Sequence, residues 1–220
     1  MLTIGHRGAK GHVAENTIES FLKAFELGAH GIELDVHLSA DGEAVVIHDE
    51  TVDRTIKNAA GFVKDFTVDE FKKLGVPTLV DVFHILPDDK LLNIEIKDTM
   101  ATKVVVEEIG KFLRLGEIQL QNILVSSFEW KILKEVKELN SLIRIGVLTE
   151  ENLDTALAFA KEISAFSIHP FFGLLTDEFV QRAKQNGFQI HAWTVNSSED
   201  ITFVRNLGVD AIISDFPDRI

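Results

Sequence analysis

The sequence predicts a closed (β/α)8 barrel, the TIM barrel, carrying an extra β-hairpin and a small insertion at its C-terminal mouth. Three observations lead there. Eight short β-branched runs alternate with amphipathic stretches of helical period, the pattern of parallel strands joined by helical crossovers. The 220 residues suit one domain of the larger kind and lie near the lower end for a complete barrel. No glycine-rich dinucleotide fingerprint supports the competing open, doubly wound sheet.

The strands are expected at Leu2–Ile4, Gly31–Val36, Leu91–Ile96, Asn122–Ser126, Ile143–Val147, Ala165–Ile168, Gln189–Trp193 and Ala211–Ser214. Branched side chains favour extended backbone there because they pack well on a pleated surface. The helices are expected at Thr17–Leu27, Ala101–Leu115, Glu129–Leu139, Asn152–Lys161, Thr176–Asn186 and Ser198–Leu207, each with one apolar face for the strands. One strand-like run breaks the repeat. Ala44–His48 follows Ile32–Leu38 after only Ser39-Ala40-Asp41-Gly42. So short a connection makes a hairpin, since a parallel return needs a crossover of about a dozen residues. Asp35 and His48 lie similar distances from the tip, so the hairpin should bring His48 back to the level of Asp35. Residues 49–90 hold a turn-rich part, a short helix at Val68–Leu74 and a second one after Val76-Pro77-Thr78. They read as an insertion over the mouth, which leaves residues 1–220 a single domain.

Composition excludes several functions. A formal charge of −13 repels nucleic acid and anionic membranes, and no Lys/Arg cluster compensates. There is no cysteine, hence no disulfide, thiolate metal site or cysteine nucleophile. No apolar run reaches the roughly 18 residues of a membrane span. Met1-Leu2-Thr3-Ile4 runs straight into His6-Arg7-Gly8, without room for a signal peptide, so a cytoplasmic location is expected. A phosphate-bearing substrate of so acidic a protein has to meet a locally positive site.

Barrel strands are buried on both faces and usually read apolar throughout. Gly31-Ile32-Glu33-Leu34-Asp35-Val36 does not: Ile32, Leu34 and Val36 point one way, Glu33 and Asp35 the other. The apolar set has to face the helices, so the carboxylates point into the barrel. Glu95 and Lys97 do the same on Asn93-Ile94-Glu95-Ile96-Lys97. Buried carboxylates are costly unless compensated, and Glu33, Asp35 and Glu95 together suit one hard divalent cation, Mg2+ or Ca2+. The competing reading is a buried ion pair of Lys97 with Glu33 or Asp35 that serves structure alone. His6 and Arg7 follow the first strand at the same end of the barrel, where sites of this fold lie. With His48 they describe an acid–base pair and a forked phosphate ligand for in-line displacement at a phosphodiester.

His6-Arg7-Gly8, Glu15-Asn16-Thr17, Glu33-Leu34-Asp35-Val36, Asp41-Gly42, Val45-Val46-Ile47-His48-Asp49, Arg54-Thr55, Pro77-Thr78-Leu79, Glu95-Ile96-Lys97, Ser127-Phe128, Trp193-Thr194-Val195-Asn196 and Ser214-Asp215-Phe216-Pro217 occur in that order. The sequence resembles the glycerophosphodiester phosphodiesterase family from residue 5 to residue 217. The resemblance implies metal-dependent hydrolysis of a glycerophosphodiester to sn-glycerol 3-phosphate and an alcohol. It implies Glu33, Asp35 and Glu95 as metal ligands and His6 and His48 as the acid–base pair. Arg7 and Lys97 match its phosphate-contacting positions, Trp193 an aromatic of the mouth, and Asn16 a polar substrate contact. Two routes stay open, a cyclic phosphate formed by the glycerol hydroxyl or direct attack by water. Ala14 stands where the family often has proline, and Val80-Asp81 where an acidic pair is common; neither touches the inferred chemistry.

The remaining histidines receive plainer readings. His12, His30, His37 and His84 are expected at the surface or against helices, His191 in the core below the site, and His169 either in the core or lining the mouth. Phe171-Phe172 suits an apolar substrate group, a packed loop or a subunit contact. Rival functions are a lysophospholipase D-type phosphodiesterase, which needs a wide apolar mouth, and a catalytically idle barrel that binds a phosphometabolite. The expected partner is a small-molecule substrate, and a homodimer stays open.

Overall fold

In the computed structural model, which describes all residues from Met1 to Ile220, eight parallel strands form a closed ring. They are β1 (Leu2–Gly5), β2 (Gly31–Leu38), β4 (Leu91–Ile96), β5 (Ile123–Ser127), β6 (Arg144–Thr149), β7 (Ser167–Pro170), β8 (Gln189–Ala192) and β9 (Ala211–Ser214). Closure comes from β1, which pairs with β2 on one side and β9 on the other. The remaining strand, β3 (Ala44–Val46), is antiparallel and bonded to β2 outside the ring, as the short turn demands. Gly42 sits at φ 86° in that turn, a left-handed conformation that costs glycine least.

Helices α1 (Ile18–Glu26), α3 (Leu79–Ile85), α4 (Thr102–Leu115), α5 (Trp130–Leu139), α6 (Leu153–Glu162), α7 (Asp177–Gln185) and α8 (Ser198–Leu207) connect successive ring strands. Each presents an apolar face to the sheet. Side chains at their N-termini take up orphan amides: Thr17 accepts from the Ser20 amide, and Thr78 exchanges bonds with Asp81. No helix is long and apolar enough to cross a membrane.

Leu79, Val82 and Phe83 of α3 lie in the main core with Ile32, Leu34 and Val36. That helix therefore completes the ring, and the stretch expected to cover the mouth, 49–90, does so only as far as Thr78. Its first part and α2 (Val68–Leu74) form a separate small core of Val45, Ile47, Val52, Val63, Phe71 and Val76. The sequence obscures this because α3 spans only seven residues and follows α2 almost at once.

The alternation on β2 and β4 is as read. Leu92, Ile94 and Ile96 join the main core, whereas Asp35 and Glu95 stand opposite each other in register. Lower in the barrel, His169 and His191 are fully buried and stacked, ring centroids 4.7 Å apart. So His169 lies inside the barrel and not at the mouth. Gly146 makes room for it, since a Cβ there would come within 2.4 Å of the His169 ring.

Candidate active site

Strands β2 and β4 bring three carboxylates together. Glu33, Asp35 and Glu95 each place an oxygen within 4.8 Å of the others, and all three are buried. Two positive side chains reach them. Lys97 Nζ lies 2.7 Å from Glu95 and 3.7 Å from Asp35, and Arg7 Nε lies 3.2 Å from Asp35. Glu33 accepts only the Arg7 backbone amide, at 2.9 Å. One carboxylate charge is thus left over, and Asp35 Oδ1 is buried without a hydrogen bond. Burial, with the charges of Asp35 and Glu95, pushes the Glu33 carboxyl well above its ordinary value; burial and Asp35 push Glu95 to about 7. Excess negative charge, oxygen donors only and an orphaned oxygen fit a divalent cation. The purely structural ion pair does not account for Glu33.

Two histidines flank this cluster, each fixed by a carboxylate. His6 Nδ1 lies 2.7 Å from Asp215, which in turn accepts from Asn196 Nδ2 at 2.9 Å. His48 Nδ1 lies 2.6 Å from Asp49. Each imidazole therefore keeps Nε2 for other chemistry. His48 Nε2 is 3.2 Å from Lys97 Nζ, which as an ammonium donates to it. Burial lowers both histidines, opposed at His6 chiefly by the Asp215 hydrogen bond and at His48 by the Asp35 charge and the Asp49 hydrogen bond. Both are thus neutral near pH 7. The hairpin delivers His48 as expected: the Ile47 amide donates to the Asp35 carbonyl at 3.0 Å, which sets the next residue beside the carboxylates.

A cavity of about 360 Å³ joins His6, Arg7, Glu33, His48, Glu95, Lys97 and Trp193. Trp193 Nε1 donates to the His169 carbonyl at 2.7 Å, and Phe128 meets the ring edge-on at a centroid distance of 5.4 Å. Asn16 does not reach that cavity. It is buried and its Nδ2 donates to Asp35 Oδ2 at 2.9 Å. Both Arg7 (φ 50°) and Asn16 (φ 56°) sit in the left-handed region, a strain that clusters at sites where placement matters. His37, expected at the surface or against a helix, is buried and its Nε2 donates to the His48 carbonyl at 3.0 Å. Phe171 packs beside Trp193 instead of lining the cavity.

Sequence reasoning met Asp49, Asp215, Asn196, Glu15 and Arg54 as motif residues but gave them no role, and so missed the partners of the histidines. Direct adjacency to His48 was an available signal for Asp49. Asp215 is 209 positions from His6, and only the meeting of β1 and β9 joins them.

The profile of the glycerophosphoryl diester phosphodiesterase family matches residues 6–219. A glycerophosphodiester phosphodiesterase of Caldanaerobacter subterraneus is 42% identical over 234 residues, covering 100% of this chain and 96% of that protein. The crystal structure of a glycerophosphodiester phosphodiesterase from Thermotoga maritima superposes with a TM-score of 0.87 at 32% identity, over 99% of this chain and 96% of that one. An Oleispira antarctica phosphodiesterase solved with the product sn-glycerol-3-phosphate has the same fold, with a TM-score of 0.89 at 24% identity over 100% and 95%. With a family match over nearly its whole length, relatives this similar and a barrel of the same shape, the chain belongs to the glycerophosphoryl diester phosphodiesterase family and is an enzyme of that class.

Proposed function

We propose that the enzyme hydrolyses a glycerophosphodiester to sn-glycerol 3-phosphate and an alcohol, with a divalent cation held by Glu33, Asp35 and Glu95 and with His6 and His48 as the acid–base pair. One observation carries this reading: a single cavity is lined by Glu33, Glu95, both histidines, Arg7 and Lys97, with Asp35 directly beneath. A bound cation, Mg2+ or Ca2+, supplies Lewis-acid stabilisation of charge on the phosphoryl oxygens. The rest is done by the chain. Arg7, held from behind by Glu15 and Asp35, and Lys97 draw the phosphate into an otherwise acidic protein. Asp49 and Asp215 fix each ring with Nε2 unprotonated, so one neutral histidine accepts the proton of the attacking hydroxyl or water at that atom, which at His48 displaces the Lys97 hydrogen bond. Once substrate brings its negative charge, the other histidine is stabilised in its protonated form and returns a proton to the leaving oxygen. Direct attack by water uses the pair once; the cyclic route uses it twice, the roles exchanging when water opens the cyclic phosphate.

The cavity wall carries only Phe128, Leu148, Trp193 and Ile213 as apolar side chains, which suits a small polar diester better than an acyl chain. Glycerophosphocholine and lysophosphatidylcholine are compared side by side with excess Mg2+ or Ca2+, with and without EDTA. Glycerol 3-phosphate should form from the first, stop on chelation, and be nearly abolished in His6→Ala and His48→Ala. Full turnover by chelated enzyme removes the cation from the reading; near-normal rates in both variants remove the acid–base pair.

A further inference from the structure

Arg54 lies on the segment over the mouth, outside the cavity that holds the reacting groups. Its guanidinium makes four hydrogen bonds to two carboxylates. Nε donates to Asp49 Oδ2 at 2.6 Å and Nη2 to Asp49 Oδ1 at 3.2 Å. Nη1 and Nη2 donate to the two oxygens of Glu15 at 3.0 and 2.7 Å. Each carboxylate has a second partner, and both of these line the cavity: Asp49 holds His48 at 2.6 Å, and Glu15 holds Arg7 at 2.8 Å. The side chains thus form an unbroken line, His48–Asp49–Arg54–Glu15–Arg7.

We propose that Arg54 is a positioning residue that sets the proton-transferring His48 and the phosphate-binding Arg7 in register with each other. The two groups come from different parts of the fold. Arg7 follows β1 of the closed ring, whereas His48 ends the external hairpin. No other side chain bonds to both of their carboxylate partners. The planar fork is what the task needs, since it can hold one carboxylate along one edge and a second along another, which a lysine cannot do. The other histidine needs no such tie. His6 and its partner Asp215 both follow ring strands, β1 and β9, and a neutral side chain, Asn196, holds Asp215. Arg54 is half exposed, at 48%, whereas Glu15 is only 10% exposed and takes positive charge from Arg7 and Arg54 together.

The proposal rests on the roles assigned above to His48 and Arg7, and its test separates the two. Steady-state kinetics on glycerophosphocholine with saturating cation are measured for the unaltered enzyme, Arg54→Met, Arg54→Lys, Arg54→Gln, Asp49→Asn, Glu15→Gln and the double variants. Misplacement of a reacting group by about 1 Å costs about 100-fold, so Arg54→Met should lose about 30- to 100-fold in kcat/KM, divided between a lower kcat through His48 and a higher KM through Arg7. Arg54→Lys should not rescue it. Asp49→Asn should cost much less in the Arg54→Met background than alone, mainly in kcat, and Glu15→Gln likewise, mainly in KM. Proton NMR supplies a readout independent of turnover. The short His48–Asp49 and His6–Asp215 bonds should each give a downfield ring N–H signal, assigned with Asp49→Asn and Asp215→Asn. Arg54→Met should lose only the first. Kinetics within twofold of normal, strictly additive effects, or retention of the His48 signal in Arg54→Met and Arg54→Gln overturn the proposal. If the unaltered enzyme does not cleave the diester, the functional reading fails, and the NMR comparison still decides whether Arg54 fixes His48.

Discussion

His6 Nδ1 and a carboxylate oxygen of Asp215 lie 2.7 Å apart across 209 positions of sequence. The bond fixes the imidazole as the tautomer with Nε2 unprotonated. An amide in place of the carboxylate can offer its NH2 to Nδ1 and so moves the ring proton to Nε2, the wrong atom for a base. Asp215→Asn should therefore lower kcat by about 100-fold or more with little change in KM, as measured by glycerol 3-phosphate release at saturating cation. Thermal unfolding of the variant should stay close to that of the unaltered enzyme.

The buried Glu33 carboxylate is held at a cost to the fold. Its folded carboxyl titrates above the unfolded value, because of burial and the charges of Asp35 and Glu95. The sign follows from proton uptake: above the unfolded pKa the native state binds more protons than the unfolded one, so stability falls as pH rises through that window. Glu33→Gln should raise the melting temperature of chelated protein at pH 7 and flatten its dependence on pH. The same variant should abolish the stabilisation that Mg2+ or Ca2+ gives the unaltered enzyme. Calorimetry with and without cation checks both halves.

The stacked pair inside the barrel acts in the opposite direction. Burial lowers His191 to about 4 and His169 well below its usual value. Below about pH 6.5 the unfolded chain takes up protons that the folded core refuses, so stability drops as pH falls from there towards 4. For His191 alone this amounts to a loss on the order of 3 kcal/mol across the window. His191→Phe keeps an aromatic ring against His169 and removes one titration. Its melting temperature should fall less steeply with acidification between pH 6.5 and 4.

Gly8 has a positive φ of 84°, and a Cβ there would lie 2.4 Å from Ser20 Oγ. That hydroxyl donates to the Arg7 carbonyl at 3.0 Å. Gly8→Ala should destabilise the protein by about 1–3 kcal/mol and raise KM for the diester more than it lowers kcat, because Arg7 shifts with its support. Denaturant unfolding and kinetics on the same preparation test the two effects.

The barrel was legible in the sequence because burial forces a pattern on every strand. Leu91–Ile96 and Ala211–Ser214 appear where they were expected, and the acidic residues on β2 and β4 were identified by their misfit with apolar neighbours. His48 was placed because a four-residue connection dictates a hairpin. What stayed hidden has no local signature. The Asp215 contact exists only because the ring closes. The bond from Asn16 to Asp35 spans 19 positions and likewise has no local sign. His169 ends up inside the barrel because Gly146 on the neighbouring strand leaves a ring-sized space, a relation that neither stretch reveals alone.

The ring closes through β1, β2 and β9 without help from β3, whose Ala44 and Val46 pack on the main core while Val45 joins the small core beside it. The two histidines are therefore anchored differently, His6 just past a ring strand and His48 just past the strand outside the ring. A fluctuation that peels β3 and its cover away breaks no ring hydrogen bonds, yet it removes His48 and leaves His6 and the acidic cluster behind. With His48 in the role proposed above, an opening far smaller than unfolding would switch the enzyme off. Loss of activity on mild heating should then precede loss of the barrel, with amide exchange in residues 44–76 rising first.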